Sequence, residues 1–109
     1  MALNTEFYPS ESIEVYNLLS HELCDLCNQN SIEFFNPKTA RELLSLIKQY
    51  LEGKKETDKI IDDYNVYGLN LIGNTVIIEI GIIPKYPAVD FRLNLEAIKS
   101  GDRMDFKTN

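Results

Sequence analysis

The chain of 109 residues has room for one domain and one core, and 44% hydrophobic with 26% charged residues is a globular composition that argues against disorder. Its 17 acidic and 11 basic side chains leave a formal charge of −6, which repels phosphate backbones and anionic headgroups and sets nucleic acid and membrane surfaces aside as partners. No apolar run reaches the roughly 18–20 residues that cross a bilayer, and residues 1–9 lack the basic and apolar regions of a signal peptide.

Residues 1–9 carry no period and end at Pro9, so an extended N-terminal arm is expected, followed by a single α+β domain over 10–98. Ser10 and Ser12 are candidate helix caps, with Glu11 and Glu14 where the helix dipole favours anions. Tyr16, Leu19, Leu23, Leu26 and Cys27 then recur at helical spacing and predict a first helix over 12–29. The polar run from Asn28 to Ser31 breaks it, and Ile32 to Phe35 form a short apolar connector.

Asn36-Pro37 is a strong start signal, because Asn caps free backbone donors and Pro at the first helical position loses no hydrogen bond. Ala40, Leu43, Leu44, Ile47, Tyr50 and Leu51 keep the helical period, and Gly53 stands where a left-handed C-cap belongs; the second helix is expected over 37–52. After the charged stretch from Lys54 to Asp63 the period changes to two. Strands are expected at 64–72, with a bulge or kink at Gly68, and at 75–83, joined by a Gly73-Asn74 hairpin turn. Pro84-Lys85-Tyr86-Pro87 is a rigid break. Residues 89–97 alternate cleanly, with Val89, Phe91, Leu93, Leu95 and Ala97 on one face. The remainder, 99–109, reads as a polar, mobile C-terminal tail.

The resulting order predicts two helices packed on one face of a small, mainly antiparallel three-stranded sheet. Such a sheet has two open edges, and strands this apolar are poor candidates to leave unpaired. A strand from the arm or from a neighbouring subunit would complete it.

Chemistry is hard to place. His21, Cys24 and Cys27 are spaced by three along one helix, but a structural zinc site wants a fourth ligand and the chain has no further Cys or His. Redox work wants the Cys pair at a helix start, whereas here it lies late in a helix. Packing for the cysteines and a surface place for His21 are the expectation, with reduced thiols in a cytosolic setting. The lone His has no defined nucleophile, the glycines form no phosphate loop, and Asp58, Asp62 and Asp63 sit in a solvated charge run. No catalytic residue, metal, cofactor or small-molecule substrate is assigned.

From Ile13 onward the sequence resembles the C-terminal, inner domain of contractile phage tail sheath proteins. The likeness runs through VYNLLSHEL (15–23), FFNPKTARELLSLIKQYLEGKKETDKIIDDYNV (34–66) and GNTVIIEIGIIPKYPAVDFRLNLEA (73–97), with Ile82 to Leu95 the most specific piece. A whole sheath subunit is several times longer, with outer domains ahead of this region. Sheath initiators have about this length and a related core, but usually carry a Glu-Pro-Arg-type motif that this sequence lacks.

The resemblance implies a mechanical role in the virion tail, assembled in the host cytoplasm. Subunits would surround a tail tube, joined to copies of themselves or to tube and baseplate proteins by strand sharing. The residues it points to are Leu3, Phe7 and Tyr8 in the arm and Val89, Phe91, Leu93 and Leu95 in the last strand. The competing expectation is a small acidic adaptor, inhibitor or immunity protein that meets a basic partner through Glu56 to Asp63.

Overall fold

The computed structural model describes residues 8–30, 37–100 and 103–108. Among these, two helices precede four strands: α1 (Ser10–Gln29), α2 (Pro37–Glu56), β1 (Ile61–Ile72), β2 (Thr75–Pro84), β3 (Phe91–Ser100) and β4 (Arg103–Thr108). The strands form one antiparallel sheet in the order β1-β2-β3-β4. Most of the arm, the 32–35 connector and Asn36 lie outside the described residues.

The sheet therefore has four strands rather than the expected three, and all four come from this chain. The extra strand is the segment expected to be a polar tail. Periodicity misses it because only Met104 and Phe106 interrupt a charged sequence, yet Phe106 is 5% exposed and faces Ala97 across the β3–β4 ladder. One anchoring aromatic with main-chain hydrogen bonds is sufficient to order a short edge strand beside a finished core.

Alternation along the strands puts Val76, Ile78, Ile80 and Ile82 of β2 in register with Ala97, Leu95, Leu93 and Phe91 of β3. All eight are buried against the helices together with Tyr16, Leu19, Leu23 and Cys27 of α1 and Leu43, Ile47 and Leu51 of α2. Tyr16 meets Phe91 edge to face, with ring centroids 5.6 Å apart. Each fully buried Leu or Ile stabilises by about 1.5–3 kcal/mol, against about 0–1 kcal/mol for an exposed ion pair, so this layer sets the fold. α1 lies over β3 and β4, and α2 lies over β1.

Local details differ instructively from the sequence reading. Neither Ser10 nor Ser12 caps α1; Pro9 holds the cap position in extended conformation, and Ser12 turns inward, fully buried. α2 runs past Gly53, whose carbonyl accepts the Thr57 and Asp58 N–H groups, and the chain leaves through Lys59 at φ 56. Lys54 explains the extra turn: its ammonium bonds Asp58 at 2.8 Å and Glu22 of α1 at 3.0 Å, tying the helix end down. Gly68, at φ 146, does mark a bulge against β2, and Gly73, at φ 61, opens the hairpin turn.

Candidate interaction edges

β3 is an interior strand. It pairs with β2 through Phe91–Ile98 and with β4 through Leu95–Ser100, and Phe91, Leu93 and Leu95 point into the core. Val89 lies just before it, 45% exposed, with its backbone held by Ser12: the Val89 N–H donates to Ser12 Oγ at 2.7 Å, and the hydroxyl faces the Val89 carbonyl at 3.3 Å. Of the arm residues, Leu3 and Phe7 fall outside the described residues. Tyr8 is half-buried against the core. The structure thus brings Phe91, Leu93 and Leu95 together inside the domain, and β1 and β4 carry the sheet edges.

α1 reaches the outer side of β4. The Phe106 N–H donates to Asn28 Oδ1 at 2.7 Å while Asn28 Nδ2 donates to the Phe106 carbonyl at 3.2 Å. One turn earlier, Cys24 Sγ lies 3.9 Å from the Thr108 hydroxyl, and the Thr108 backbone reaches the same sulfur. Ser12, Cys24 and Asn28 are the residues that sequence reading undervalued. For Ser12 the signal was present: it continues the stripe of Tyr16, Leu19, Leu23 and Cys27 one turn back. A polar residue on an apolar stripe has to find a buried partner.

α2 holds β1 by ionisable groups instead. The Tyr64 hydroxyl donates to Glu52 at 2.6 Å, which pushes the phenol up to about 12. Between the helices, the Tyr50 hydroxyl donates to Glu22 at 2.7 Å. That bond, with Lys54 beside it, holds the Glu22 carboxyl below its ordinary range, and burial and Glu22 together raise the Tyr50 phenol.

On the face away from the helices, Tyr67 lies flat on Gly81, where an added Cβ would come 2.9 Å from the ring. Arg92 stacks over Tyr67 at 4.8 Å and bonds Glu79 at 3.0 Å. Tyr8, Asp63, Tyr67, Gly81, Asp90 and Arg92 line an open groove of about 710 Å³ beside this cluster.

The cysteines pack. Cys27 is fully buried, its thiol pushed up to about 12 by burial, and His21 is exposed with Asp25 at 3.3 Å. The described residues contain no group of three or more His, Cys, Asp or Glu placed to hold a metal ion, and no helix long and apolar enough to cross a membrane.

No curated protein and no solved structure matches the chain. A family model does: the TssC/VipB-like C-terminal domain matches residues 10–109, from the first residue of α1 to the end of the sequence. This is a contractile sheath family, related to type VI secretion and phage tail sheaths, and its domain is structural rather than enzymatic. An α+β domain with two helices on a four-stranded antiparallel sheet, matched over its whole folded length, belongs to the TssC/VipB-like C-terminal domain family.

Proposed function

We propose that this chain works as a sheath subunit of a contractile tail or injection apparatus, surrounding a tube and joined to other copies by strand sharing. The observation that carries the reading is the family match over 10–109, which spans both helices and all four strands. The arm, with Leu3, Phe7 and Tyr8, is the donor segment. Backbone hydrogen bonds supply the connection, and alternate side chains supply the register. The proposed setting is a virion tail, with tube and baseplate proteins as further partners.

Three carboxylates of the acidic stretch are already matched within the chain, which lowers what it offers to a basic partner. Asp58 bonds Lys54, Asp62 lies 3.3 Å from Lys85, and Asp63 lies 3.7 Å from Lys55.

Light scattering across a wide concentration range, with negative-stain imaging, tests the assembly. Growth into rings or tubes is expected, and Leu3→Asp with Phe7→Asp should abolish it. Unchanged assembly in the double variant would remove the arm from the reading. Charged residues at Phe91 or Leu93 are poor probes, since both side chains are core and their loss would unfold the domain.

A further inference from the structure

β4 rests on less than the strands beside it. Val76, Ile78, Ile80 and Ile82 anchor β2 in the core, and Phe91, Leu93, Leu95 and Ala97 anchor β3. Of the described β4 side chains only Phe106 is buried, and it faces Ala97, the smallest of the buried β3 side chains. Asp105 and Lys107 are exposed on either side of it.

The outer side of β4 is held by one helix. Phe106 directs both its N–H and its C=O away from β3, and the Asn28 carboxamide takes both, at 2.7 Å and 3.2 Å. A primary amide presents an acceptor and two donors in one plane, so a single side chain can serve both groups of one residue. Because both bonds run to the same carboxamide, they break together when the strand moves. One helical turn earlier, the half-buried Cys24 lies 3.9 Å from the Thr108 hydroxyl, a longer and weaker contact. Asn28 is therefore the strongest polar tie between α1 and this strand.

A segment opens locally at a cost set by what that segment alone buries and bonds. For β4 this is one aromatic side chain, one edge ladder and the Asn28 pair, while the two helices and β1–β3 keep the rest of the core among themselves. We propose that β4 is a latch, which opens from β3 while the helices and the other three strands stay folded, and that the Asn28 carboxamide is its catch. Opening bares the Leu95–Ser100 edge of β3 and frees Cys24 from Thr108. The device stands on these contacts and does not depend on the sheath reading.

Residue-resolved amide exchange in increasing low urea tests it. With Phe106 turned outward, the alternation of an antiparallel pair turns the Asp105 and Lys107 N–H groups toward β3, so they report the ladder. Both should exchange about a hundredfold or more faster than Ile80 of β2 and Leu23 of α1. Their rates should also stay nearly flat in urea, because opening one strand exposes little surface, while Ile80 and Leu23 follow global unfolding. Asn28→Ala should speed Asp105 and Lys107 by about tenfold and keep their flat urea dependence. Leu51→Ala, in the core under α2, should speed Ile80 and leave Asp105 and Lys107 unchanged. If Asn28→Ala fails to fold, Asn28→Asp retains an acceptor for the Phe106 N–H and should give a smaller rise, about two- to fivefold. Asp105 and Lys107 exchanging at the rate and urea dependence of Ile80 would overturn the latch. Unchanged β4 rates in the Asn28 variants would overturn the catch.

Discussion

The α1–β4 half and the α2–β1 half of the domain solve the same problem with different chemistry. α1 grips the sheet by neutral side chains: Ser12 and Asn28 bond the backbone of Val89 and Phe106, and Cys24 Sγ lies 3.9 Å from the Thr108 hydroxyl. α2 grips β1 through the Tyr64–Glu52 phenol–carboxylate bond, and it is tied to α1 by Tyr50, Glu22 and Lys54. Backbone bonds made by neutral groups hold at any pH between acid and base unfolding, while phenol–carboxylate bonds titrate. The difference teaches that one sheet can be held on one side by backbone bonds that do not titrate, at Val89 and Phe106, and on the other by a phenol–carboxylate bond that does, at Tyr64.

Shared core comes first. Leu23→Ala in α1 and Leu51→Ala in α2 each remove a fully buried side chain and should each cost about 2–5 kcal/mol in denaturant unfolding. Similar losses on both sides would show that the contrast lies in the polar grip. If one is silent, that helix is not part of the cooperative unit.

Next in size is the neutral clamp. Ser12→Ala leaves the Val89 N–H without its partner in a half-buried place and should cost about 1–3 kcal/mol, by the same amount at pH 6 and pH 9. A cost that varied with pH over that range would break the comparison.

The titrating grip has two limbs of opposite sign. Glu22 has its folded pKa lowered, so its contribution is present above the ordinary carboxylate range and is lost as pH falls through the folded value. Tyr64 has its folded pKa raised from 10.0 to about 12, so its contribution is complete below pH 10 and is lost between pH 10 and about 12. Glu22→Gln should therefore flatten the acid limb of a stability profile, and Glu52→Gln the alkaline limb. Unchanged limbs would show that neither bond forms in solution.

The smallest effect belongs to the open face. Arg92→Ala removes the stack on Tyr67 and the bond to Glu79, both largely exposed, and should cost about 0.5–1 kcal/mol. A larger loss would mean that the Tyr67–Gly81 contact depends on Arg92, and Gly81→Ala would then show the same penalty.

Much of this architecture was legible in the residues. The stripes of both helices, the bulge at Gly68, the turn at Gly73-Asn74 and the alternation of β2 and β3 all appear where period and turn chemistry place them. Those signals are local, and hydrophobic burial amplifies them. β4 was not legible, because its single buried aromatic gives no period and its order comes from pairing with β3 and from Asn28. The extended end of α2 was hidden for a related reason: Gly53 reads as a stop until Lys54 meets Glu22 on the other helix.

By itself, then, the sequence determined the helices, the apolar strands and the sheath-like pattern from Ile13 onward, since each depends on residues near one another in the chain. Only the tertiary structure decided that β3 is interior, that β4 joins the sheet, and that α1 bonds the outer side of β4 through Asn28. Those outcomes depend on partners such as Ser12 and Val89, or Asn28 and Phe106, which lie more than seventy residues apart and meet only after the core has formed.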